Sequence, residues 1–379
     1  MSLILLSIAL ISLGILVAGW VWYPARMASL GRLSLSSEKG LASSTSRLPI
    51  SVVLATREST AAIVARLADL RNGSYPTELL EILVALDGAH ADRRDELQNA
   101  LGTSARVVVP DTPGKAAALS AGVAAAQHDL LLFIDTAQTF SEDVVDRLVS
   151  KLQDRKWGAA TAMLAPTSGD ALMDRYWQRE LDIRVGQMMH HSVICVTGCA
   201  YIMRRVYWSP MPTGLICDDL WSTYSVVTNG ARVALVRDAL VIDPRRFSRE
   251  QEFSRRLRTM TGMLQFVRWF PVVLHPAKNP MFRHFLLHKL VRPATPILLA
   301  IAAVCTLAAI FLWSPTLAFV LLVLGALALA LPWLLVKMGP PAIARPAANI
   351  LFAERLMLMP FDAIGRAMRS DWDIWRPHK

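Results

Sequence analysis

Three uncharged apolar runs set the limits on how this chain can fold. Leu3–Trp22 is 20 residues long, while Pro296–Trp313 and Thr316–Val336 are separated only by Ser314 and Pro315. A hydrocarbon interior offers no water to backbone N–H and C=O groups, so runs of this length are expected as membrane-crossing helices, the last two as a hairpin. Arg26, Arg32 and Lys39 follow the first run, His288, Lys289 and Arg292 precede the hairpin, and Lys337 follows it. Cations gather on the cytoplasmic side of spans, which places the region between the runs in the cytoplasm. A signal peptide is the rival reading of the first run, but no positive segment precedes it.

The expected order is an N-terminal transmembrane helix over 1–24, a linker over 25–47, and a cytosolic α/β domain over 48–262. An interfacial amphipathic segment over 263–292, a transmembrane hairpin over 293–337 and an amphipathic cytosolic tail over 338–379 complete it. This is the layout of a multi-pass protein of the cell (inner) membrane. A net charge of +10 suits anionic lipid head groups and phosphorylated substrates. Nucleic acid is excluded as a partner, because no zinc-finger, basic-zipper or RNP pattern accompanies the charge. Cys195, Cys199, Cys217 and Cys305 match neither a disulfide framework nor a zinc spacing and read as reduced thiols.

Between the runs, apolar strands alternate with helical spacing. Strands are expected at Ile50–Leu54, Leu79–Leu86, Arg106–Val109 and Leu130–Ile134, with helices at Thr60–Leu70, Asp92–Leu101, Lys115–Gln127 and Glu142–Leu152. That βαβα order predicts an α/β fold with a doubly wound, mostly parallel sheet. Residues 157–250 read as less regular, with strand candidates at Val193–Tyr201 and Ala231–Val236. Taken alone, Asp135 is more simply a helix cap after its strand than a ligand contact. Asp87, Lys115, Asp135 and the pair Asp218-Asp219 all fall at strand ends, however, and their convergence on one crevice favours a phosphate or nucleotide site.

Seven stretches, in order, carry a family resemblance: Ser51–Glu58, Ile82–Gly88 with Asp92, Gly114–Gly122 (GKAAALSAG), Phe133–Ala137, Thr197–Arg205, Cys217–Leu220 and Arg255–Thr259. From about 49 to 262 the chain resembles the membrane-bound family-2 glycosyltransferases, the group of cellulose, hyaluronan and chitin-oligosaccharide synthases. The GKAAALSAG stretch is the most specific match. The resemblance implies a GT-A-type (Rossmann-like) domain that transfers a sugar from a nucleotide sugar, a UDP-sugar in the first instance, to a lipid or saccharide acceptor. It implies donor contacts from Thr56, Arg57, Glu58, Asp87, Lys115 and Asp135, with Arg255 and Arg258 on the pyrophosphate. Asp135 would hold Mg2+ or Mn2+, Gly198 and Cys199 would lie on the acceptor side, and Asp219 would be the catalytic base, with Asp218 the alternative one register away.

The chemistry accounts for these residue types. A departing diphosphate gains negative charge that a metal or arginines must meet, and the attacking hydroxyl needs a carboxylate to take its proton. Three departures from the pattern stand out. Ala137 replaces the second acid of the D-x-D element, Thr259 replaces a tryptophan that in polymerising relatives stacks on the acceptor sugar, and Glu58-Ser59 replaces the usual Asn-Glu. They leave open two alternatives: a catalytically impaired scaffold subunit bound to a partner synthase, and a synthase of short chains.

Overall fold

The computed structural model describes residues 1–35, 47–165, 171–245 and 248–372. Two compact units are present. One gathers Met1–Pro24, Arg249–Met260 and Phe285–Ser370; the other is built from Ala25–Ser248 and Thr261–His284.

The second unit is organised on an eight-stranded mixed sheet. Its strands are β1 (Ile50–Thr56), β2 (Leu80–Leu86), β3 (Arg106–Val108), β4 (Leu130–Ile134), β5 (Thr139–Phe140), β6 (Trp157–Ala165), β7 (Ala200–Arg204) and β8 (Arg232–Ile242). They lie in the order β3-β2-β1-β4-β7-β6-β8-β5. The first four neighbours, β3 to β4, are mutually parallel, with Ile50 opposite Leu80 on one side and Leu130 on the other. Helices cover both faces of such a sheet, which is why β1 and β4 are buried at every position; β4 reads as an unbroken apolar run and β1 as one interrupted only by Ser51 before it ends at Thr56. At β7 the direction reverses: Ile134 pairs with Ala200 and Leu130 with Arg204 in an antiparallel ladder. The expected α/β, GT-A-type sheet is therefore present, with a reversed strand inside it.

Two expectations need correction. Val193–Tyr201 is not a strand; the ladder begins only at Ala200, and the preceding apolar residues are a loop buried by tertiary packing. The stretch read as irregular contains the nine-residue β6 and the helix Ala171–His190. β6 is rich in Gly and Ala because the helix Asp218–Thr228 packs closely on it. A Cβ at Gly158 would stand 2.7 Å from Val226 Cγ1 and 2.8 Å from Ala231 Cβ. Helical structure also extends over Tyr23–Leu35, into the stretch read as linker; residues 36–46 of that linker lie outside the described residues.

Within the sheet unit, the helix over 25–35 crosses the helix Ala171–His190 at two reciprocal glycines. A Cβ at Gly31 would lie 2.1 Å from the carbonyl oxygen of Asp182, and one at Gly186 would lie 2.0 Å from that of Met27. Backbones this close admit no side chain at either position. The membrane-type unit holds the helices Ser2–Val17, Val291–Trp313, Pro315–Met338 and Pro341–Met368. The helical segment Ala18–Trp22, which continues the first of these, packs tightly at Gly19 against Val291, and its Trp20 Nε1 donates to Thr295 Oγ1 at 2.8 Å. Ser314 caps the second arm of the hairpin by accepting the N–H of Leu317, with Pro315 at the first helical position. Three helices are long and apolar enough to cross a membrane: Ser2–Leu33, Phe282–Trp313 and Pro315–Met338.

The glycine crossing makes a stability prediction. Gly186→Val should cost about 3 kcal/mol through overpacking, lowering the melting temperature in detergent by roughly 6–12 °C. Gly14→Val, where nothing lies within 4 Å, should leave it nearly unchanged. Equal melting temperatures for the two variants would remove the close crossing as a stabilising feature.

Candidate active site

The carboxyl ends of β1, β2 and β4 lie side by side, and the loops leaving them are bonded to each other. Thr56 Oγ1, at the end of β1, accepts the N–H of Glu58 at 3.0 Å and the hydroxyl of Thr136 at 2.8 Å. Arg57 and Glu58 are exposed, and Arg93 donates to the carbonyl of Glu58 at 2.9 Å, which fixes that loop. Asp87 follows β2, and its Oδ1 accepts two backbone N–H groups, from Ala89 at 3.0 Å and from Gly114 at 2.9 Å. Gly114 has φ +114°, a conformation that favours glycine, and it turns the chain into the helix Lys115–Ala125. The last glycine of the same motif, Gly122, lies so close to β1 that a Cβ would be 2.5 Å from Val53 Cγ1. Both outer glycines of GKAAALSAG thus have structural reasons, and between them they place Lys115.

Lys115 Nζ lies 3.0 Å from Asp135 Oδ1 and 3.2 Å from Asp218 Oδ2. Burial acts to pull the ammonium toward neutrality, but the two carboxylates more than reverse this and hold its pKa above the ordinary lysine value. The stability this contributes is fully present below the unfolded lysine value of about 10 and is lost only as pH rises through the higher folded one. Lys115 is therefore a fixed cation at neutral pH. Burial, with help from Asp218, raises the Tyr201 hydroxyl, which shares a hydrogen bond with Ser222 at 2.9 Å.

Asp135 is held from behind. Its N–H donates to the carbonyl of Cys199 at 3.2 Å, and its carbonyl accepts Arg66 Nε at 3.1 Å. The Arg66 guanidinium also pairs with Asp69 and lies 3.7 Å over the Phe140 ring, so one buried arginine grips both ends of the 135–140 turn. Burial pulls its pKa down to about 10, still charged at neutral pH. Asp218 and Asp219 open the helix Asp218–Thr228, where the positive end of the helix dipole favours acids. Asp219 Oδ1 accepts the N–H of Leu220 at 2.8 Å, and its Oδ2 accepts the thiol of Cys195 at 3.1 Å. A Cβ built on Gly198 would be 3.8 Å from Asp219 Cβ, so this glycine borders the acid. Cys199 is buried, and burial, reinforced by Asp135, pushes its thiol up to about 12.

The structure thus brings together Thr56, Asp87, Lys115, Asp135, Asp218, Asp219, Gly198 and Cys199. Arg255 and Arg258 stand on the first half of the helix Arg249–Trp269, which belongs to the membrane-type unit; there Arg255 pairs with Glu252 at 3.6 Å. Sequence reasoning did not single out Arg66, Arg184 or Cys195. Arg66 had a signal, an arginine on the apolar face formed by Ile63, Leu67 and Leu70. Nothing in the local sequence marks the other two.

Residues 51–209 match the profile of glycosyl transferase family 2. The chain carries a family 2 glycosyltransferase domain. The match ends before Asp218 and Asp219, which the Lys115 ion pair joins to it. An N-acetylglucosaminyltransferase of Rhizobium meliloti is 28% identical over 166 residues, which are 41% of this chain and 38% of the relative. One from Rhizobium sp. strain N33 is 28% identical over 153 residues, 36% of this chain and 34% of the relative. The similarity therefore spans little more than a third of the curated relatives' length. Among solved structures, the mannosyltransferase PcManGT of Pyrobaculum calidifontis, in complex with GDP-Man and Mn2+, superimposes with a TM-score of 0.64 at 19% identity. It covers 96% of this chain and 99% of its own, a likeness of fold.

Removing the shared cation should leave two acids facing each other. Lys115→Met is expected to destabilise the domain by about 3 kcal/mol, and Lys115→Met with Asp218→Asn should recover a good part of the loss. Chemical denaturation of the three proteins checks this; additive losses would mean that Lys115 does not couple the two carboxylates.

Proposed function

We propose that this chain is a membrane-anchored, inverting glycosyltransferase acting at the cytoplasmic face of the cell (inner) membrane. It moves a sugar from a nucleotide sugar, a UDP-sugar, to a lipid or membrane-associated saccharide. The observation that carries this reading is the meeting of Asp135, Lys115, Asp218 and Asp219 at the end of the parallel strands, where open α/β sheets receive ligands. N-acetylglucosamine is the first donor sugar to test, because the curated relatives are named for it.

In this reading the Thr56–Glu58 loop and Asp87 hold the nucleoside, and Lys115 places positive charge beside the donor phosphates. Arg255 and Arg258 grip the pyrophosphate, and Gly198 and Cys199 line the acceptor side. Asp219 accepts the proton of the acceptor hydroxyl as that oxygen attacks the anomeric carbon and the bond to the diphosphate breaks. Asp218 is the weaker candidate for base because its carboxylate is already engaged by Lys115. The three apolar helices anchor the domain, in contact with membrane lipids.

The residues fit a divalent ion bound together with substrate. Among the described residues no three His, Cys, Asp or Glu side chains gather to hold one by themselves. Magnesium needs only one or two carboxylates when substrate phosphates provide the other oxygens. Asp135 would hold Mg2+ or Mn2+, which when bound supplies Lewis-acid charge to the leaving diphosphate. Ala137 favours one second reading, an impaired scaffold subunit that binds donor or a partner synthase without turnover.

Purified full-length protein in detergent should release nucleoside diphosphate from a nucleotide sugar when acceptor and Mg2+ or Mn2+ are supplied. Asp219→Asn should lower this at least about 100-fold. Silence of both proteins across common donors and acceptors sinks the proposal. A large gain of metal-dependent turnover in Ala137→Asp, from a nearly inert parent, would shift the reading to the impaired scaffold.

A further inference from the structure

The acid proposed as base is held at both oxygens, by the N–H of Leu220 and by the thiol of Cys195. The thiol is itself strapped in place. Arg184 donates to the carbonyl of Cys195 at 3.0 Å and to Thr197 Oγ1 at 3.1 Å. Thr223 Oγ1 accepts the N–H of Val196 at 2.9 Å while donating to the carbonyl of Asp219 at 2.7 Å. Thr161 Oγ1, on β6, accepts the N–H of Thr197 at 2.7 Å. The loop on the C-terminal side of Cys195 is therefore pinned both to the sheet and to the helix turn that carries Asp219.

We infer that Cys195 is a positioning residue for the base: its S–H donates to Asp219 Oδ2 and fixes the rotamer from which the carboxylate meets the acceptor hydroxyl. This rests on the reading of Asp219 as base. The thiol keeps its proton throughout; the proton that moves passes from the acceptor oxygen to Asp219. A donor to the charged form of an acid lowers its basicity, and a strong donor lowers it more. A thiol is a weak donor, so it can orient the carboxylate without competing strongly for the lone pair that takes the proton. The other groups facing Asp219 are the Arg184 guanidinium, the Tyr201 hydroxyl, and neighbouring Asp218 with its Lys115. None of these changes in the variants below.

The test uses full-length protein with Cys195→Ala, Cys195→Ser and Asp219→Asn. In kcat against pH, Cys195→Ala should lose about tenfold with the donor KM unchanged, and its acidic limb should move up. Cys195→Ser should retain most of the turnover, with the limb moved down because a hydroxyl donates more strongly. A merely structural role would not order the limbs as Ser below Cys below Ala, and coincident limbs overturn the inference. The contact is read separately, without turnover, from alkylation of Cys195 by iodoacetamide followed by peptide mass spectrometry at neutral pH. Asp219→Asn removes the charge that opposes thiolate formation and should speed labelling several-fold. Equal labelling rates overturn the contact. Labelling that responds while transfer ignores Asp219→Asn overturns the base assignment instead.

Discussion

One ammonium group shared by two carboxylates holds the centre of this protein together. Lys115 comes from the first turn after the loop that ends in Gly114, Asp135 from the end of β4, and Asp218 from a helix more than eighty residues further on. Unit charges about 4 Å apart interact by about 4 kcal/mol at the effective dielectric near a protein surface, so neither acid could sit here cheaply without the cation. The pair of contacts joins the half of the sheet built from β1 to β4 to the helix that brings Asp219. Everything proposed for the reaction uses that juncture.

The same arrangement bears on the missing acid at 137. Polar groups around the 135–140 turn are directed at shaping it: Arg66 from below, Thr136 onto Thr56, and Gln138 Nε2 onto Asp243 at 3.2 Å. Asp243 is held by Arg245, which keeps its carboxyl down at about 2 although burial acts the other way. A turn this constrained presents Asp135 in one orientation, toward Lys115, with no acid at position 137 to help hold it there. In the proposed reaction, a divalent ion would then take its remaining oxygens from the donor.

Much of this was legible in the sequence, and the reasons are physical. β1 and β4 are buried throughout and β2 over Ile82–Leu86, so their apolar runs end sharply where ligand-facing residues begin, and Asp87 and Asp135 mark those ends. GKAAALSAG is readable because its glycines answer to backbone geometry rather than to partners far away. β6 was missed because its job is to be thin: Gly158, Ala159 and Ala160 make room for a helix and carry little of the usual strand signal. Val193, Ile194 and Val196 imitated a strand because helices and β8 bury them, although only the N–H of Val193 bonds to β8. The thiol beside Asp219 depends on a contact across 24 residues that no periodicity encodes.

The reversal of β7 has a further consequence. On the β1–β4 side, loops reach the crevice by leaving a strand, so each is tied to the helix that returns the chain. On the β7 side, residues 191–199 reach it before their strand starts, and the antiparallel ladder holds whatever arrives there. That loop is therefore fixed by what it packs on, β6, β8 and the helix Asp218–Thr228, rather than by a strand that delivers it, so a change at Cys195 or Thr197 made to suit a different acceptor would also be felt at Asp219.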